Sequence, residues 1–149
     1  MNAAIEGGCL CGAVRYRATG KSLAGTLCHC GTCRHASGAP SVAWTVFRSS
    51  DFAFIAETPA RFYSSPGVIR TFCRKCGTPV TYQRTSKPET IDATTATLDD
   101  PDAFAPTKEI WIEEKLAWES LNEAMEHYPG SSVGASGKAT RQPAANRDK

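Results

Sequence analysis

Three short motifs place cysteines close enough to share a metal ion: Cys9-Leu10-Cys11-Gly12, Cys28-His29-Cys30-Gly31-Thr32-Cys33 and Cys73-Arg74-Lys75-Cys76-Gly77. Zinc takes four tetrahedral ligands and accepts thiolate sulfur readily. Two cysteines one to three residues apart reach the same ion from a single turn. The glycines after Cys11 and Cys76 supply the positive φ that such a turn can need. Seven thiolates divide naturally as four plus three. Four close a structural zinc site, whereas three leave one coordination position for chemistry. Spacing alone leaves two groupings open, because Cys73 and Cys76 can join either Cys9 and Cys11 or part of the Cys28–Cys33 group. The first is favoured, since it leaves three ligands in one continuous loop. A competing possibility is that all seven are structural, with His29, His35 or a carboxylate as the fourth ligand of the second site.

A disulfide framework fits the pattern less well. Seven is an odd number, and the cysteines sit in tight local groups whose members are poorly placed to bond to one another. The start of the chain, Met1–Leu10, has no basic segment followed by an apolar run, so no secretory signal is expected. No stretch approaches the roughly 20 apolar residues of a membrane span. Reduced thiols then imply a cytoplasmic protein. The net charge is +2, and Lys138, Arg141, Arg147 and Lys149 against Asp148 put +3 beyond Tyr128, leaving the body at −1. A near-neutral body is not the footprint of a nucleic-acid binder.

The elements that must position these motifs read as short strands. Ala13–Thr19 alternates apolar and polar residues, the period of a half-buried strand. Ser41–Phe47, Asp51–Ile55, Arg61–Ser64, Val68–Phe72, Pro79–Gln83, Thr90–Thr95 and Lys108–Ile112 are further strand candidates. Arg48-Ser49-Ser50 and Ser65-Pro66-Gly67 read as turns between them. Helix is expected only after Cys30 and over Ala117–Glu126. Trp44, Trp111 and Trp118 are expected in the core. The 149 residues suit one domain, over 1–128, followed by a basic tail over 129–149 whose Gly, Ser, Ala and Pro predict disorder. The fold class is mostly β, built of short antiparallel strands.

Taken together, GGCLCGAVRY, CHCGTCRHASGAP, FCRKCGTPVTY and the downstream TLDDPD resemble the family of glutathione-dependent formaldehyde-activating enzymes, whose domain is shared with centromere protein V. The resemblance covers roughly Glu6 to Trp118. It implies a single-domain, β-tent-like fold around two zinc ions. By motif match, Cys9, Cys11, Cys73 and Cys76 would form the structural zinc site, and Cys28, Cys30 and Cys33 the catalytic one. It also implies carbon–sulfur lyase activity, with glutathione as co-substrate and formaldehyde joined to it as S-hydroxymethylglutathione. The implied partner is therefore a small-molecule thiol or thiol adduct. Arg34, Arg74 and Lys75 flank the cysteine turns, where they could meet glutathione carboxylates. The alternative function is a zinc-stabilised binding module without catalysis.

Overall fold

The computed structural model describes residues 3–133. In chain order the strands are β1 (Ile5–Gly8), β2 (Arg15–Ala18), β3 (Ala24–Cys28), β4 (Val42–Arg48), β5 (Phe52–Phe54), β6 (Ala60–Ser65), β7 (Val68–Phe72), β8 (Pro79–Arg84), β9 (Thr90–Thr94), β10 (Lys108–Ile110) and β11 (Glu126–His127), with one α-helix, α1 (Gly31–Ser37). The described residues form two compact units, 3–24 with 44–105, and 25–43 with 106–133.

The first unit holds an antiparallel sheet ordered β1-β2-β5 and a strand run ordered β4-β9-β8-β7-β6. Period-two alternation decides which side chains are buried. In β2, Tyr16 and Ala18 are fully buried, while Arg15 and Arg17 point outward to Asp99 and Glu6. The core gathers Val14, Tyr16, Phe47, Val80, Ile91, Ala93 and Leu98, and it includes Cys9 and Cys73. Phe52 stacks on Tyr16 with ring centroids 5.1 Å apart. The buried Tyr16 hydroxyl lies 2.8 Å from the Thr97 hydroxyl, and Thr45 and Thr95 pair at the same distance, so these polar groups are satisfied inside the unit.

The second unit pairs β3 and β11 with opposite edges of β10, both in parallel. Most other pairings are antiparallel, as the strand pattern predicts. The chain between β3 and β10, and between β10 and β11, is long enough for the crossover that a parallel pair requires. Backbone hydrogen bonds continue past β11: Trp111 donates to the Gly130 carbonyl at 2.9 Å and Glu113 to that of Pro129 at 3.3 Å. Residues 134–149, most of the expected tail, lie outside the described residues.

Two expectations need correction. Ala117–Glu126 is not a helix but a run of turns ending in β11. Side chains capture its backbone groups instead: Lys115 Nζ donates to the carbonyls of Leu116 and Glu119, and the Asn122 N–H donates to Glu109. Trp118 on this segment is 71% exposed, not a core residue, whereas Trp44 is buried.

Asp92 on β9 is flanked by the core residues Ile91 and Ala93. Burial pushes its carboxyl up to about 6, against the opposing pull of Arg84 and Lys87. The folded state therefore binds this proton more tightly than the unfolded chain. Between the ordinary carboxyl value and about 6, stability falls as pH rises. Asp92→Asn should raise the melting temperature at pH 7.5, and the gain should shrink towards pH 4. Thermal melts at the two pH values check this; an equal shift at both, or a lower melting point at pH 7.5, would contradict it.

Candidate functional site

The sulfurs of Cys9, Cys11, Cys73 and Cys76 all lie within 4.8 Å of one another. Two turns bring them there. In the first, Cys9 N–H bonds to the Val14 carbonyl and Gly12 N–H to that of Cys9; in the second, Cys73 N–H bonds to Thr78 and Gly77 N–H to Cys73. Gly12 and Gly77 take φ of 80° and 78°, a left-handed conformation that a side chain would strain. Thr78 ties the turns together: its hydroxyl accepts the Leu10 N–H at 3.1 Å and lies 3.2 Å from Cys76 Sγ. Backbone N–H groups of Val14 and Lys75 point at the sulfurs of Cys9 and Cys73.

This geometry fits a tetrahedral ion. Four sulfurs each about 2.3 Å from zinc would stand roughly 3.8 Å apart. Cys9 Sγ lies 3.6 Å from Cys11 Sγ, which lies 3.7 Å from Cys73 Sγ. Ionisation among the crowded sulfurs is uneven without a cation. Cys76 is drawn down to about 5 by the Thr78 hydroxyl and then by backbone N–H groups. Cys11 is pushed up to about 11: the Ala13 N–H favours its thiolate, but the neighbouring sulfurs, Cys9 foremost, outweigh it. A divalent ion removes that conflict by stabilising every ligand as thiolate.

The second cluster lies within the second unit. Cys28 ends β3, Cys30 caps α1, and Cys33 sits in the first turn of that helix. Their sulfurs also lie within 4.8 Å of one another. Cys30 Sγ accepts the Cys33 N–H at 3.3 Å and stands 3.2 Å from the Thr32 hydroxyl. The Cys30 thiol is driven far down because Cys28 and then Cys33 hydrogen-bond to its thiolate, while Cys28 is driven far up by Cys30 and Cys33. Three sulfurs this close together could share a cation. Among the described residues, no histidine or carboxylate joins this group of three. All seven cysteines are free of disulfides.

His29, weighed above as a fourth ligand, turns instead into the second unit, where it is fully buried. Its Nε2 lies 2.9 Å from Glu109 Oε1. Glu109, only 1% exposed, also accepts the Asn122 N–H at 2.7 Å through Oε2, which stands 3.3 Å from His127 Nε2. A buried carboxylate needs such donors, since desolvating an ion costs several kcal/mol. Glu109, Asn122 and His127 were not singled out from the sequence. A glutamate in the short strand Lys-Glu-Ile reads as solvent-facing, and only the register Glu109↔Leu27 and Glu109↔His127 shows it to be internal. His35, Arg74 and Lys75 are exposed, and Lys75 is paired with Glu57 at 2.7 Å. Arg34 Nε reaches the His29 carbonyl at 3.4 Å.

A profile of the family described as glutathione-dependent formaldehyde-activating enzyme matches residues 4–114, a span that holds both sulfur clusters and Glu109. The chain belongs to this family. It is 31% identical over 81 residues to a protein of Schizosaccharomyces pombe named an uncharacterized lyase, covering 54% of this chain and 58% of that one. The chain thus spans under two thirds of that relative's length. A crystal structure of a Rhodobacter sphaeroides protein superimposes with a TM-score of 0.53 and 29% identity, covering 63% of this chain and 87% of that one. Family membership agrees with the mostly β fold and with cysteine clusters suited to metal. No helix among the described residues is long and apolar enough to cross a membrane.

The first cluster joins residues 62 positions apart and borders the core through Cys9 and Cys73. Structural zinc binding contributes on the order of 10 kcal/mol to folding in small peptides. Cys73→Ser should therefore give insoluble protein or a melting temperature lowered by ten degrees or more. A variant melting within a few degrees of wild type would show that this cluster does not hold the unit together.

Proposed function

We propose that the chain is a zinc-dependent carbon–sulfur lyase acting on a thiol–aldehyde adduct, with S-hydroxymethylglutathione, the adduct of glutathione and formaldehyde, as its substrate class. The observation that carries this reading is the inequality of the two clusters, four sulfurs in one and three in the other. In this reading Cys9, Cys11, Cys73 and Cys76 hold a structural zinc, and Cys28, Cys30 and Cys33 hold a zinc with one position left for substrate. A zinc held by three thiolates is a moderate Lewis acid, suited to keeping a substrate thiol as thiolate and to polarising a carbonyl. Family membership and the lyase name of the Schizosaccharomyces pombe relative support chemistry over simple binding.

The reaction balances without an oxidant or reductant. In the forward direction the thiol sulfur bonds to the aldehyde carbon, the carbonyl π bond breaks, and the thiol proton ends on the oxygen. The reverse direction breaks the carbon–sulfur bond and returns that proton to sulfur. The protein's own part is to hold and orient. Cys28 and Cys33 are buried, whereas Cys30 is only partly buried, so Cys30 marks the side from which a ligand would approach. Arg34, on the helix that begins at this cluster, offers a guanidinium suited to a carboxylate of a glutathione-like thiol.

Cys30→Ser separates catalysis from folding. The cluster lies within one loop and its helix, so its loss releases no long segment. Wild type prepared with reduced thiols should carry two zinc ions. Cys30→Ser should carry one, melt within a few degrees of wild type, and show no turnover of thiol–formaldehyde adducts. A Cys30→Ser protein that unfolds as Cys73→Ser does, beside an inert wild type, would favour a zinc-stabilised binding module instead.

A further inference from the structure

The buried polar array behind the second cluster has no place in the reaction as written, yet it converges on the residue between two of the cluster's cysteines. His29 is pinned at three points: its N–H donates to the Ile110 carbonyl at 3.0 Å, its ring Nε2 meets Glu109 at 2.9 Å, and its carbonyl accepts from Arg34 at 3.4 Å. A carboxylate oxygen only accepts, so Nε2 carries the hydrogen, an assignment that follows from the bonding network. Nδ1 is buried and has no hydrogen-bond partner among the described residues. The Glu109 bond is therefore the ring's one polar restraint. Glu109 is itself held on β10, beside β3, by the Asn122 N–H and by His127, whose Nε2 also lies 2.8 Å from the Asn122 carbonyl.

We propose that Glu109 is a positioning residue for the three-cysteine cluster. It anchors the His29 ring inside the second unit, which fixes the backbone between Cys28 and Cys30 and so the spacing of their sulfurs. The array also links the loop that carries the cluster to the 122–127 segment, because His29, Asn122 and His127 all contact the same carboxylate. The physical need is specific to a three-ligand site. A closed four-cysteine site is held in shape by its own ion, whereas three ligands from one loop depend on their surroundings to keep a fixed geometry. Supporting partners of this kind typically alter metal affinity by about 10–100-fold. This inference rests on the second cluster holding a metal, but not on which adduct is turned over.

The test is zinc retention by the full chain, followed by titrating a chromophoric chelator against wild type, Glu109→Gln, His29→Ala, His29→Gln and the exposed-surface control Glu89→Gln. Glu109→Gln should yield one of its two zinc ions at ten-fold lower chelator or less, and hold the other as wild type does. His29→Ala should behave likewise. His29→Gln, whose amide can donate to Glu109, should recover part of the loss. If Glu109→Gln does not fold, the two His29 variants decide the matter. Equal retention of both ions in the folded variants would overturn the proposal, as would zinc loss that merely tracks the melting temperature, or a wild type holding fewer than two ions. A catalytically inert wild type with selective zinc loss in these variants would sink the lyase reading and leave this inference standing.

Discussion

Four sulfur atoms cannot all be ionised within 4.8 Å of one another unless a cation sits among them. That electrostatic constraint organises the first unit. Cys9 and Cys11 come from the turn between β1 and β2, Cys73 and Cys76 from the turn between β7 and β8, and their meeting closes a long loop of chain. The hydrophobic core surrounds two of these sulfurs, and Thr78 links the turns with hydrogen bonds that involve no metal. Packing and hydrogen bonding thus support one geometry from two sides.

The second unit solves a different problem. Its three cysteines come from one local segment, a strand end followed by a helix cap, so they cannot brace distant parts of the chain. What braces them is polar and buried: the His29 ring on Glu109, with Asn122 and His127 completing the carboxylate's shell. The two clusters therefore differ in more than ligand count. One borders the apolar core through Cys9 and Cys73 while Cys11 is exposed, and the other rests on a hydrogen-bonded network with Cys30 partly open to solvent.

The cysteine motifs were legible because metal chemistry demands particular residue types at short spacing, and Gly12 and Gly77 take the positive φ that the turns called for. β2, with its alternating pattern, was legible for the same reason of local repetition, and β4 was legible as a β-rich run. β1 was not, because Ile-Glu-Gly-Gly carries little strand signal; Gly7 is there to admit the Tyr16 hydroxyl, which a Cβ would overlap. β3 was hidden by a glycine within Ala-Gly-Thr-Leu-Cys. The Ala117–Glu126 error shows tertiary contacts overriding helix propensity, since Glu109 claims the Asn122 N–H that a helix would have used. Glu109 itself was invisible for a related reason: burial of a charge depends on partners distant in sequence, His29 lying 80 residues away. Local pattern reveals ligands, but not the groups that hold ligands in place.

The central claim is that seven thiolates serve two zinc ions and leave one position for a thiol. X-ray absorption at the zinc edge on two-zinc protein, recorded with and without glutathione, tests it most directly. The account predicts a first shell averaging seven sulfurs per two zinc ions, completed by a lighter atom, and a rise to eight sulfurs when the thiol is added. A shell that is already all sulfur, or one that keeps its lighter atom at saturating thiol, would contradict it.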